Sequence, residues 1–252
     1  MRQDGPVTQA PDPVAPRGPD GVAAPIPVEA LPVPARSWYQ RPALDVAADL
    51  LGALVTARSP EGDVTIRLTE VEAYDGENDP GSHAFRGRTA RNAVMFGEPG
   101  RVYVYRHLGL HHCMNIVTGP AGRASAVLLR AGEVVQGVDL ARARRAAAGV
   151  VDSDRQIARG PARLTVALGL DLSANGADVT EPVGDLVLRR RPDGPRPPHA
   201  TGPRVGVSGD GGDATRFPWR LWLTGEPTVS AYRPAYRRPA SRNSPQRGAT
   251  PA

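Results

Sequence analysis

Thr69-Glu70-Val71-Glu72-Ala73-Tyr74 alternates without a break. Residues two apart on a strand point to the same face. Glu70, Glu72 and Tyr74 therefore share one face, and Thr69, Val71 and Ala73 share the other. Two carboxylates on one face repel unless a cation or a substrate lies between them. One of the pair is then a candidate for a raised pKa near a site. The plain alternative is an edge strand facing solvent.

The strand extends backward to Val64 and pairs with Leu54–Arg58 across the turn Ser59-Pro60-Glu61-Gly62-Asp63. Before it, Ala43–Leu51 has helical spacing, with Leu44, Ala47, Leu50 and Leu51 on one face and Gly52 as the stop. After it, Thr89 caps a brief helix through Phe96. Gly100–His107, His111–Thr118 and Ala124–Arg130 are strands. Val134–Ala148 and Pro161–Leu170 are helices, the second with proline in its first turn. Asp185–Arg190, Arg204–Ser208 and Leu221–Thr224 complete a strand-rich second half. Such an order predicts an α+β fold, a single compact domain around a curved, mostly antiparallel sheet with flanking helices.

Chemistry-bearing residues cluster behind the carboxylate strand. Asp75-Gly76 turns the chain, His83 follows in a polar loop, and Arg86, Arg88 and Arg91 come close together. In Arg101-Val102-Tyr103-Val104-Tyr105 the two tyrosines share a face and offer a stacking platform for a planar base, or simply half-bury an amphipathic strand. Leu108-Gly109-Leu110 is the tip of a hairpin. An apolar side chain there either caps the protein's own core or wedges into unstacked bases. His107, His111, His112 and Cys113 invite a metal. Adjacent His111 and His112 point to opposite strand faces, however, so no metal is expected.

Bulk composition narrows the classes. The chain has 252 residues and a formal charge of +5, which permits a nucleic-acid partner. Five arginines and no acid lie from Arg233 onward, matching the whole excess. Pro-rich stretches predict a disordered tail over 1–36, an ordered domain over 37–232 and a basic disordered tail over 233–252. Lysine is absent, so a lysine Schiff base is excluded; the amine of Met1 is the remaining exception. The single cysteine, Cys113, rules out an internal disulfide, a zinc tetrad or an iron–sulfur cluster and fits a reducing, cytoplasmic setting. No run approaches the length of a membrane span.

Taken together, Thr69–Tyr74, Arg91-Asn92-Ala93-Val94-Met95-Phe96, Pro99–Tyr105 and Cys113-Met114-Asn115 resemble the alkyladenine (3-methyladenine) DNA glycosylase family. Val127–Ala131, Gly160-Pro161 and Arg204-Val205-Gly206-Val207 continue the resemblance in order, over about Leu44–Leu223. It implies a bacterial enzyme, monomeric and nucleoid-associated, that uses no cofactor. Its partner is double-stranded DNA containing damaged purines. It implies excision of alkylated purines, with hypoxanthine and ethenoadenine as further candidates, by water attack on the N-glycosidic bond. Glu72 matches the general base and Arg130 the arginine that helps hold the water. Tyr74, His83 and Tyr105 match the walls around a flipped base, and Asn115 the side chain that excludes guanine. Leu108 stands where the family often presents a tyrosine wedge. Arg91, Met95, Arg106 and His107 fall with it at the expected DNA interface. A non-catalytic damaged-DNA or RNA-binding module on the same fold is the alternative.

Overall fold

The computed structural model describes residues 27–235. Its scaffold is one curled antiparallel sheet of eight strands, β1 (Leu54–Ala57), β2 (Val64–Tyr74), β3 (Val102–His107), β4 (His111–Val117), β5 (Ala126–Gln136), β6 (Leu186–Arg189), β7 (His199–Gly202) and β8 (Arg220–Leu223). The order is β3-β4-β5-β2-β1-β6, with β8 paired to β2 and β7 to β8. The single domain is mixed α+β. Its helices are α1 (Arg36–Tyr39), α2 (Ala43–Leu50), α3 (Val138–Ala147) and α4 (Pro161–Leu168).

β2 is central rather than an edge. β5 flanks one side throughout, while β1 and then β8 flank the other. Val64, Ile66 and Leu68 face the main core, but so do Val71 and Ala73. Register shifts against β5 on either side of Glu70 account for this switch of parity. The two shifts cancel, with Leu68 opposite Gly132 before them and Val71 opposite Leu129 after, so both strands break step together and re-aim the side chains beyond. The irregularity turns Glu70, Glu72 and Tyr74 away from the core that Leu68 helps to fill. Gly132 lies at the crossing, where a Cβ would collide with Arg67 O, so only glycine fits.

Helices α2 and α4 cover the core face, through Val46, Ala47 and Leu50 and through Leu164, Ala167 and Leu168. Leu44 instead stays 39% exposed, and Ala43 and Val46 take its place on the buried face. The helix expected from Val134 starts only at Val138. Val134–Gln136 still pairs with β2, and Gly137, at φ +72°, makes the turn between strand and helix. The expected strand Arg204–Ser208 is a loop, whereas β7 was not foreseen. Arg189, Arg190 and Arg191 are tied to Leu31 O, Asp193 and Leu51 O respectively. Most of the two expected tails falls outside the described residues. Of the part within them, Pro32 O accepts from Arg190 N–H and Arg36 pairs with Asp178. No helix among the described residues is long and apolar enough to cross a membrane.

Candidate active site

The far half of β2 opens onto a cavity of about 440 Å³, within the usual range of small-ligand clefts, about 300–1,000 Å³. Glu72, Tyr74, His83, Tyr105, Asn115 and Arg130 all line it. Five separate elements thus bring the expected pocket residues to one place.

Glu72 is fully buried, and its carboxylate is held from three directions. Oε1 accepts the Val205 N–H at 2.7 Å and lies 3.3 Å from Arg130 Nη1, while Oε2 accepts the Tyr74 hydroxyl at 2.8 Å. Burial, and then the adjacent Glu72 charge, push the Tyr74 phenol well above its ordinary value, so it stays a donor. The loop after Arg204 turns a backbone N–H onto the carboxylate.

Arg204 is buried against the rear of Tyr74, its guanidinium 4.5 Å from the ring centroid. It donates to both oxygens of Asp79, at 2.5 and 2.6 Å, and to Ala73 O and Gly211 O. This clamp fixes Tyr74 on one side and the Val205 loop on the other.

Tyr105 forms the facing wall. Tyr103 is buried and stacks against it at 5.6 Å and 25°, so the two tyrosines brace one another in depth instead of lying side by side. His83 meets Tyr105 edge-on at 4.4 Å and its Nδ1 lies 3.3 Å from the Tyr103 hydroxyl. Burial, then Arg91 and His107, lower the His83 pKa, which keeps the imidazole neutral at pH 7. Asn115 Nδ2 donates to Tyr103 O at 3.1 Å, and that bond locks the amide in place.

Residues expected at a DNA interface separate into two groups. Leu108 and Leu110 stand 81% and 78% exposed at the β3–β4 tip, Leu108 with φ +49°, so Leu108 does not cap the core. Arg106 and Arg91 are exposed nearby, Arg91 donating to Arg106 O and lying 5.6 Å over the Tyr105 ring. His107 is exposed yet also lines the cavity, so it sits at the mouth. Met95 differs from expectation: the 3-10 turn Ala93–Phe96 buries it beside Tyr103 and Ala84, where it lines the cavity and presents nothing to the outside.

The facing carboxylates are reconciled by cations from other strands. Glu70 Oε1 accepts from Arg130 Nε at 2.8 Å and Arg220 Nε at 2.7 Å. Burial works to raise the Glu70 pKa, but Arg130, Arg220 and the Ser230 N–H outweigh it and hold the group below its ordinary value. Glu70 therefore does not carry the raised value foreseen for one of the pair. Arg220, Val205, Asp79 and Ser230 were missed in sequence. Only the Arg204–Val207 block carried a usable signal for one of them.

The family described as "Methylpurine-DNA glycosylase (MPG)" matches residues 37–227. A protein of Streptomyces avermitilis is 55% identical over 199 residues, covering 79% of this chain and 91% of its own length. One from Leifsonia xyli subsp. xyli is 55% identical, covering 82% and 95%. One from Methanocella arvoryzae is 43% identical, covering 81% and 98%. All three bear the name "Putative 3-methyladenine DNA glycosylase".

Proposed function

The chain belongs to the methylpurine-DNA glycosylase family, and from that premise we propose that it is a monofunctional glycosylase which flips alkylated purines out of duplex DNA and hydrolyses their N-glycosidic bond. One observation carries the reading: a fully buried carboxylate, Glu72, lies in an aromatic-walled cavity with most of its acceptor capacity already assigned. A carboxylate offers about four acceptor sites. Val205 N–H and Tyr74 Oη–H take two, and Arg130 Nη1 lies against the carboxylate at 3.3 Å without a full hydrogen bond. The remaining capacity suits one water.

A base inside the duplex hides its sugar carbon, so extrusion comes first and costs a few kcal/mol. Damage weakens pairing and lowers that cost. Stacking on Tyr74 and Tyr105 returns about 1–3 kcal/mol per base. A cationic alkylpurine gains roughly 0.5–2 kcal/mol more from electron-rich rings. Leu108 fills the gap left in the stack, and Arg91, Arg106 and His107 meet phosphate.

Glu72 then deprotonates the water, which Arg130 orients, and its charge stabilises the oxocarbenium-like sugar. The proton ends on Glu72, the C1′–N bond breaks, and a cationic alkylpurine departs neutral without an acid. With no lysine in the chain, only the Met1 amine could form a Schiff base, and the abasic product is released uncleaved. Rigid Asn115 occupies the space that the exocyclic amine of guanine needs.

The test uses methylated DNA and a hypoxanthine duplex, with and without alkali, plus borohydride. Expected are strand breaks only after alkali and no trapped adduct. Breaks without alkali overturn the monofunctional reading. Lesion binding without any excision overturns the enzyme reading in favour of a binding module.

A further inference from the structure

Glu70 faces the same way as Glu72 but does not line the cavity, so it cannot touch a flipped base or its water. It is nonetheless fully buried and ionised by its surroundings. Oε1 accepts from Arg130 Nε at 2.8 Å, Arg220 Nε at 2.7 Å and Ser230 Oγ at 2.9 Å, and Oε2 accepts the Ser230 N–H at 2.7 Å. Resting on the glycosylase reading, we infer that Glu70 is a positioning residue. It grips the Nε edge of Arg130 so that the guanidinium cannot close on Glu72, and so keeps Glu72 free for water.

The geometry of Arg130 carries this. A guanidinium and a carboxylate left alone form two parallel bonds of about 2.7–2.9 Å. Arg130 makes no such fork with Glu72. It presents only Nη1, at 3.3 Å, while Nε goes to Glu70 and Nη2 lies 3.4 Å from Ser230 Oγ. The long contact leaves Oε1 room for the Val205 N–H. The other groups facing Glu72 cannot replace this restraint. Tyr74 on its own strand binds Oε2. Tyr105 of β3, Cys113 of β4 and Arg204 of the loop lie within reach of the Glu72 charge, and none of them hydrogen-bonds Arg130. Arg220 of β8 is directed at Glu70 and Ser230.

The charges balance two against two, Glu70 and Glu72 against Arg130 and Arg220. Neutralising Glu70 frees the Arg130 fork. It then closes on Glu72, takes the acceptor site meant for water and makes the carboxylate a weaker base. Ser230, which completes the grip, lies beyond residue 227, where the family match ends. The segment around it is fastened by Thr228 to Thr69 and by Val229 O to Arg159.

Glu70→Gln, Glu70→Asp and the double variant Glu70→Gln/Arg220→Gln are compared with wild type in single-turnover excision of a duplex carrying one cationic alkylated purine and in lesion binding. Glu70→Gln is expected to excise about 10- to 100-fold more slowly, the scale of a misplaced reacting group, with lesion affinity unchanged. Glu70→Asp restores part of the rate. The double variant regains charge balance and fold but leaves Arg130 loose, so its rate stays low. A wild-type rate in Glu70→Gln overturns the inference. So does full recovery in the double variant, which would make Glu70 only a counter-ion for Arg220. An inactive wild type brings down the glycosylase reading itself, and is told apart by that control.

Discussion

Glu72→Gln separates chemistry from binding because the substitution fits the site almost atom for atom. The amide oxygen can take the Oε1 position, accepting from Val205 N–H and facing Arg130 Nη1. The amide nitrogen then falls at Oε2, 2.8 Å from a Tyr74 hydroxyl that can reverse and accept. Arg130 keeps its bond to Glu70, which then serves both Arg130 and Arg220, so each guanidinium retains an ionic contact. The fold and the lesion pocket should therefore survive. What goes is the base and the negative charge under the forming sugar cation. Loss of a general base costs about 10²–10⁴-fold, or about 3–5 kcal/mol of barrier. The assay is single-turnover excision under enzyme excess with alkaline cleavage of the abasic site, beside a mobility shift on the same duplex. Unchanged binding with excision slowed at least 100-fold is expected. A rate within about threefold of wild type would refute Glu72 as the base, since general-base assistance contributes far more than that.

Three further outcomes rest on the same geometry. Leu108→Gly should fold as well as wild type, because φ +49° is glycine's own territory, yet extrude the base less; unchanged 2-aminopurine fluorescence on binding removes the wedge role. Asn115→Ala should raise excision of undamaged guanine, because the locked amide no longer blocks the pocket; product analysis on unmodified DNA decides it, and unaltered selectivity counts against the steric role. Glu70 should make stability acid-sensitive. Its folded value lies below the ordinary one, about 4.3, so its contribution is complete above that pH and is lost as pH falls through the depressed folded value. The Tm gap between wild type and Glu70→Gln should accordingly narrow from pH 5 to pH 3, and a constant gap contradicts it.

Much of the fold was legible because it depends on short-range pattern. Val64–Tyr74 forms a strand over its whole predicted length, and Leu108-Gly109-Leu110 forms the hairpin tip. Errors arose at an element end and in a loop. Val134-Val135-Gln136 was read into the following helix, although its two β-branched valines suit the strand that pairs with Thr65 and Ile66. Arg204–Ser208 suits a strand, yet the Asp79 clamp holds it as a loop.

The pocket residues were legible too, but their electrostatics were not, and the reason is chain separation. The cations that make a carboxylate pair tolerable arrive from 60 and 150 residues away. Nothing within reach of Glu70 in sequence announces them. The sequence did hold one unread clue. Apolar positions run even through Val64, Ile66 and Leu68 and then odd through Val71 and Ala73. A flat strand cannot bury both sets against one core, so the switch itself requires a bulge near Thr69. Had the chain no such irregularity, Glu72 would lie with Leu68 on the core face beneath the helices, with no water within reach, and Val71 would point away from the core. The bulge is what converts an alternating strand into half a hydrophobic wall and half a reaction site. Deleting Thr69 would throw the rest of β2 one residue out of register with β5, so it should cost both the fold of that core and excision, whereas changes confined to the Leu108 tip should leave the core intact and only slow excision.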